Sequence, residues 1–442
     1  MSFLYATMKK IATLFSLFVV LFCCGCLQAQ KIKFSKYFED ATLRINYLRV
    51  GNRLMDTIKV LSDDYCGQWS GSLTQLNDPF DNGYFRIVVK DAESGKRIYS
   101  RGFNSLFAEY RDTPEGRYVV GSFEEVVRIP WPKRPVLICW EERGEDQHYH
   151  TQHVLRYSPK MQYAQVLAQS CLEAESSKLV RLQYKGDIHK KIDVVIVPEG
   201  YGPADTVKML YDMKKFCEYL LGQNPFKKHR NDFNVWGISA TGESAGITQP
   251  SEGIWVNSLV GASYGTFGAE RYLMTQQIFR LHDAIGWAPC DHIIIMANSN
   301  TYGGGGIYNF YAMSSLNSMA NMILPHELGH SIGGLADEYV DEDLSYGNAH
   351  SNVFEPMEPN ITSLVEFDRK WKGMLPAGTS IPTPENESVF RKENGPVGVY
   401  EGAGYQAKGL YRPVMHCMMR DYAPFCPVCT KRLEEVFCLY TR

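Results

Sequence analysis

The sequence predicts an α+β protein: an antiparallel β-sandwich over residues 31–159, followed by an α/β domain over residues 178–442. Three observations predict it. Short β-rich runs punctuated by turn residues fill the first stretch. After residue 177 the texture changes, and strand-like apolar runs alternate with stretches of helical periodicity. Finally, roughly 413 residues follow an apolar leader, too many for one hydrophobic core, so two or three domains are expected.

The leader comes first. Residues 1–29 read as an export signal peptide, with Lys9-Lys10, an apolar run from Ile11 to Phe22, and an end at Leu27-Gln28-Ala29. The run is too short for a retained membrane span, so no transmembrane span is expected. Gly25-Cys26 leaves a second reading open, a lipid anchor on Cys26. Either way the chain is expected to be exported: extracellular, periplasmic or lipid-anchored at the cell surface. Loss of Lys9 and Lys10 moves the net charge from −3 to about −5 and leaves no basic block, which argues against nucleic acid as a partner.

The β-rich region has predicted strands at Thr42 to Val50, Tyr84 to Lys90, Arg97 to Phe103, Arg117 to Ile129 and Pro135 to Glu141. Turns fall at Asp81-Asn82-Gly83, Ser94-Gly95 and Pro114-Glu115-Gly116. This spacing suits an antiparallel sandwich. The region carries no clear catalytic signature, and His148, His150 and His153 alternate along a polar strand, where histidines are more often solvated than metal-bound.

A connecting helix and linker are expected over residues 160–177. Beyond it, Leu179 to Tyr184, Ile192 to Val197, Phe233 to Ser239 and His292 to Ala297 read as strands, and the nearly uniformly apolar second one as a buried central strand. Helices are predicted at Pro203 to Leu221, with Pro203 in its first turn, at Phe267 to Ile285, and at Pro427 to Tyr440. Gly303-Gly304-Gly305-Gly306 has no Lys-Ser or Lys-Thr after it, which excludes a phosphate-binding loop. It reads as a flexible loop before an edge strand over Ile307 to Ala312.

His326-Glu327-Leu328-Gly329-His330 carries the chemistry. Residues four apart share a helix face, so the two imidazoles can converge on one zinc ion, with Glu327 beside it as the general base for a water. With 11 His in 442 residues, such a pattern arises by accident in about one or two per cent of chains, so its flanks matter. Gly333-Gly334 offers a left-handed stop that turns the chain back, and Asp337 is then the nearest third ligand, with Glu338 its competitor. Pro325 within this helix implies either a short helix beginning near it or, as favoured here, a kinked longer one from about Ser315.

The segment from His326 through Leu335-Ala336-Asp337-Glu338-Tyr339 resembles the metzincin zinc peptidases, with Gly333 at the position of their turning glycine. The spacing departs by one residue, because a metzincin third ligand would fall on Ala336, which cannot bind metal. The string is more specifically similar to the IgA peptidase family of metallopeptidases. That resemblance implies Asp337 as third ligand, a metzincin-like catalytic domain, and an apolar methionine floor beneath the metal, for which Met418 is the first choice and Met415 the second. Glu401-Gly402-Ala403-Gly404-Tyr405 through Cys417-Met418-Met419-Arg420 carries the likeness to the C-terminal part.

The expected activity is therefore metal-assisted hydrolysis of peptide bonds: His326, His330 and Asp337 hold one zinc ion and Glu327 moves the proton. Tyr339 or Tyr411 is a candidate second electrophile. The substrate is expected to be a protein or peptide, a host glycoprotein being one candidate. Two other classes stand beside this reading: a metal hydrolase of glycopeptides or cell-wall peptides, and a surface binding protein with weak activity. The cysteines leave a further question. Nine lie beyond the leader, and the C-terminal four, Cys417, Cys426, Cys429 and Cys438, suit either disulfides or a structural metal.

Overall fold

The computed structural model describes residues 32–159, 178–341, 353–385 and 393–441; the expected leader with Cys26, and the expected linker over 160–177, lie outside the described residues. A mixed α/β chain is observed, β-rich in its N-terminal part. No helix among the described residues is long and apolar enough to cross a membrane.

After a short helix α1 (Phe34–Tyr37), the N-terminal part builds two antiparallel sheets from seven strands. β1 (Phe38–Asn52) is flanked by β2 (Met55–Tyr65) and β5 (Gly121–Pro132), while β3 (Phe85–Asp91), β4 (Arg97–Phe103), β6 (Val136–Arg143) and β7 (Tyr149–Tyr157) form the other sheet in the order β4-β3-β6-β7. Side chains from the two sheets meet in a shared core, where the Tyr47 ring packs edge-on against Trp140 at 5.4 Å. The five expected strands are present within a few residues of their predicted ends. β2 was not predicted and β7 entered only as the polar strand of His148 to His153, because one residue of each is buried and neither carries an apolar run. Helix α2 (Leu106–Tyr110) sits between β4 and β5. A buried ionic cluster lies in this core: Arg49 donates to Glu125 and Asp56, and Tyr47 and Ser105 donate to Glu125.

The second part centres on a six-stranded mixed sheet. β9 (Ile192–Glu199), wholly buried, is central as its composition predicts, with β10 (Phe233–Ile238) and β11 (His292–Ala297) parallel on either side. β8 (Leu179–Gln183) is the antiparallel strand beyond β10. Helix α3 (Thr206–Leu220), preceded by a single 3-10 turn at Pro203–Asp205, packs its Met209, Met213 and Phe216 face into the core.

Two predicted elements are corrected. The helix expected over Phe267 to Ile285 is only α4 (Ile278–Ile285), because Phe267 and Gly268 take left-handed conformations and Tyr272 and Met274 are drawn into bridges with Gly304 and Ser263. The edge strand expected over Ile307 to Ala312 lies earlier. The glycines themselves form it, as β12 (Gly304–Ile307), antiparallel to β13 (Tyr311–Ser315), with a turn at Tyr308–Phe310 in which Asn309 has φ +50°.

Helix α5 (Ala320–Ser331) carries the His-Glu-x-x-His sequence. It does not reach back to Ser315, which ends β13; Asn317 caps the approach by accepting the Met319 N–H at 2.6 Å. Pro325 lies inside the helix, past its first turn. The chain closes with a hairpin of β14 (Tyr400–Ala403) and β15 (Gln406–Arg412), the short α6 (Met418–Asp421) and α7 (Pro427–Thr441).

Candidate metal centre and active-site cleft

Helix α5 presents His326, Glu327 and His330 to a cavity of about 550 Å³. The two imidazoles meet at Nε2, 3.2 Å apart. Each ring is aimed by its other nitrogen: His326 Nδ1 is 2.9 Å from the Met418 carbonyl and His330 Nδ1 is 2.7 Å from the Leu335 carbonyl. A ring that donates from Nδ1 keeps its lone pair on Nε2, so both lone pairs face one point.

The chain turns back at the end of α5 as the glycines predict, but the left-handed residue is Gly334, with φ +60°, rather than Gly333. The Gly334 N–H closes on His330 O and the Leu335 N–H on Gly329 O, which satisfies the last helical carbonyls. Asp337 then returns to the histidines. Its Oδ1 lies 3.1 Å from His326 Nε2 and 3.4 Å from His330 Nε2, buried and without a well-directed hydrogen bond. Its Oδ2 accepts the Tyr405 hydroxyl. Glu338, the competitor, points away from this site, and its Oε1 lies 3.2 Å from Cys429 Sγ.

These distances test whether a metal would fit. A tetrahedral centre with bonds of about 2.0–2.1 Å has ligand atoms about 3.3–3.4 Å apart. The three separations of 3.2, 3.1 and 3.4 Å match that triangle. Glu327 also brings an oxygen within 4.8 Å of both imidazole nitrogens. Of the two carboxylates, Asp337 is the closer to the nitrogens and the more deeply buried, whereas Glu327 lies half-buried in the cavity wall.

Electrostatics favours a cation here. Burial opposes charge on either imidazole, yet the Asp337 carboxylate outweighs it, raising His326 above the usual histidine range and His330 to about 9. Burial likewise opposes the Asp337 charge, and the His330 and His326 rings more than offset it, holding that carboxyl well below its usual range. The negative charge that draws protons onto the imidazoles would draw a divalent cation equally. Glu327 is raised, by burial first, with the two histidines partly countering it. A carboxylate with a raised pKa is a better proton acceptor.

Three other features of the cleft escaped sequence reasoning. Strand β12 lies directly on α5: a methyl group on Gly306 would come within 2.3 Å of the Glu327 carbonyl oxygen, and one on Gly304 within 3.1 Å of Glu327 Oε1. The glycine run is therefore what permits this close approach of strand to helix. Tyr302 and Tyr422 share a hydrogen bond at the cavity, and the Tyr422 ring stands 5.6 Å from His326. Tyr339 lines the cavity and packs against Tyr405, whereas Tyr411 is absent from the cavity wall. Lastly, the N-terminal part supplies some of the wall through Asn82 and Tyr84 in the turn before β3 and Glu109 and Asp112 at helix α2, and Asn82 Nδ2 donates to Gly334 O at 3.3 Å. Apart from Tyr339, already a candidate from the sequence, no local motif foretold these residues, since each reaches the site through contacts distant in sequence.

Of the remaining candidates, Met418 is buried and lends its carbonyl to His326, while Met419 sulfur packs against Gly329. Met415 is buried as well, without such a link to the histidines among the described contacts. His148 and His150 stand by Asp146 at the exposed turn into β7, and the His153 ring packs on Trp140.

Comparison with known protein families accounts for most of the chain. A family described as IgA Peptidase M64 matches residues 180–396 and 390–437, and one described as Peptidase M64 N-terminus matches residues 33–154. Among curated proteins nothing matches.

Proposed function

We propose, from the premise that this chain belongs to the IgA peptidase M64 family and is a metallopeptidase, that it is an exported, zinc-dependent endopeptidase. His326, His330 and Asp337 would hold the zinc, and Glu327 would be the general base. One observation carries the assignment: two imidazole lone pairs and one buried carboxylate oxygen converge within 3.1–3.4 Å of one another, with Glu327 beside them in the cavity wall. We read the two N-terminal sheets as a sandwich domain over 31–159, and residues 178–442 as a metzincin-like catalytic domain.

When bound, zinc would lower the pKa of a water and polarise the scissile carbonyl. The rest falls to the chain. Glu327 accepts the proton of the attacking water, an uptake that its raised pKa assists, and passes it to the leaving amine. Tyr422 donates a hydrogen bond to the developing oxyanion; burial and its contact with Tyr302 raise its pKa and keep the hydroxyl protonated. The cavity-facing edge of β12 aligns an extended substrate by main-chain pairing. The wall formed by Asn82, Tyr84, Glu109 and Asp112 makes the N-terminal region part of the substrate cleft rather than a remote appendage.

The substrate class is protein or peptide; the particular sequence cleaved is a matter for cleavage-site profiling. Replacing Glu327 with Gln keeps a side chain of the same shape but removes the base. The variant is expected to bind metal at the wild-type stoichiometry and to lose at least about a hundredfold in kcat. Proteolysis by Glu327→Gln at the wild-type rate would reject the mechanism.

A further inference from the structure

Behind the catalytic cleft lies a second convergence of ligand atoms. Cys417, Cys426, Cys429 and Glu338 are all fully buried, and their sulfur and carboxylate atoms lie within 4.8 Å of one another. None of the four lines the cavity. The cluster joins the loop after α5 to two neighbouring segments far along the chain, the turn before α6 and the start of α7.

We propose that Cys417, Cys426, Cys429 and Glu338 hold a structural, thiophilic divalent cation of the zinc class, distinct from the catalytic metal. Three independent observations carry this. First, the spacing fits. Cys417 Sγ and Cys429 Sγ are 3.8 Å apart, well beyond the roughly 2.05 Å of a disulfide. It matches the edge of about 3.8 Å in a tetrahedron with metal–sulfur bonds of about 2.3 Å. Second, the fourth corner is an acceptor in want of a partner. Glu338 Oε1 receives Asn360 Nδ2 at 2.8 Å and lies 3.2 Å from Cys429 Sγ, while its Oε2 is buried with no hydrogen bond. A buried carboxylate left half-satisfied beside a thiol is costly unless a cation faces it.

Third, the surroundings of Cys426 favour anionic sulfur. Cys426 immediately precedes α7, a helix of 15 residues, and the Cys429 N–H donates to Cys426 Sγ at 3.4 Å. The sulfur thus takes the place of an N-cap oxygen at the positive end of the helix. On binding, the three thiols would release their protons to solvent as sulfur–metal bonds form. Full burial leaves no open position for water, so the role is structural.

The site would brace the catalytic one. Glu338 adjoins Asp337, and its N–H donates to Met419 O at 2.8 Å; Cys417 adjoins Met418, whose carbonyl orients His326. A bond network through the second cation therefore fixes both the third ligand and the ring of the first. Cys438, the fourth cysteine of the C-terminal group, is absent from the cluster, and Glu338 takes the place that sequence spacing had left to it.

The test separates this site from the catalytic one, whatever the fate of the catalytic reading. The full chain carrying both His326→Ala and His330→Ala is purified and its metal measured by native mass spectrometry and elemental analysis. It is then reconstituted with cobalt(II). One metal equivalent is expected to remain, with sulfur-to-cobalt charge-transfer absorption in the near ultraviolet. That absorption should disappear when Cys426→Ser and Cys429→Ser are added, and the three thiols should become alkylated only after chelation. The proposal is overturned if the histidine variant holds no metal, if the cobalt spectrum lacks thiolate bands, or if peptide mapping finds a disulfide among the three cysteines. If the serine variant fails to fold, the spectrum and thiol protection of the histidine variant still decide the matter.

Discussion

Replacing Gly306 with Ala adds one methyl group at the contact between the cleft-edge strand β12 and helix α5. Gly306 does not have a left-handed φ, so alanine suffers no backbone penalty of its own and the effect is steric. The new Cβ would stand 2.3 Å from the Glu327 carbonyl oxygen, 3.0 Å from its carbonyl carbon and 3.1 Å from its Cα. These are backbone atoms of a helix, which cannot swing aside as a side chain would. Restoring even a 3.0 Å contact requires strand and helix to part by about 0.7 Å. Overpacking of this kind costs about 1–3 kcal/mol of stability. The greater effect falls on catalysis, because misplacing a catalytic group by about 1 Å can cost about a hundredfold.

A loss of roughly tenfold to a hundredfold in kcat/KM is therefore expected, on a protein that still binds metal. Kinetics on a fluorogenic peptide, thermal unfolding and metal content would be measured together. Gly373→Ala, where the added methyl meets nothing within 4 Å, is the control. Gly305→Ala should fall between the two, since its methyl meets the Met274 sulfur and the Tyr272 ring rather than backbone. Wild-type activity in Gly306→Ala, or a loss no greater than in Gly373→Ala, would refute the reasoning.

Tyr405→Phe removes the hydroxyl that binds Asp337 Oδ2; metal affinity measured by competition with a chelator should fall about ten- to a hundredfold, and an unchanged affinity would sever Tyr405 from the site. Arg49→Met leaves Glu125 buried and uncompensated, and should destabilise the chain by about 3–5 kcal/mol in urea unfolding. Adding Glu125→Leu should recover part of that loss; a double variant no better than the single would contradict the charge argument. Burial, then the neighbouring Asp291 charge, raises Asp193, and burial raises Asp291 as well. The folded chain therefore keeps a proton that the unfolded chain, with a carboxyl pKa near about 3.9, has released, so the pair's contribution to stability is full below about pH 3.9 and is lost as pH rises from there through the raised values. Asp193→Asn retains the Oδ1 acceptor for Trp236 and Asn234. It should diminish the fall in stability between about pH 6 and about pH 8, by up to about 1.4 kcal/mol per pH unit; an identical pH slope would count against it.

Much of the fold was legible because it rests on local periodicity. The apolar run at Ile192 to Val197 could only be a buried strand, and it became the central one. Strand β11 coincides with its predicted ends. Where pairing partners rather than local pattern decide, the reading failed. The stretch 267–277 has helical texture, but Gly268 and the attraction of Tyr272 to the β12 edge take it out of the helix. The glycines at 304–306 looked like a flexible loop, because nothing local says that a neighbouring helix will press against their bare Cα atoms.

By itself the sequence determined that His326, Glu327 and His330 share one end of one helix, since the 3.6-residue repeat acts over four residues. It also determined that the chain must turn soon after them, since two adjacent glycines favour a left-handed stop. Tertiary structure alone decided the rest. It turned Asp337 toward the imidazoles and Glu338 toward the cysteines, placed Tyr405, Tyr422 and the N-terminal wall around the cleft, and gathered Cys417, Cys426 and Cys429 about a single point. Which of two adjacent carboxylates faces a site depends on a hydrogen bond to Met419, some eighty residues away, and no local pattern encodes that partner.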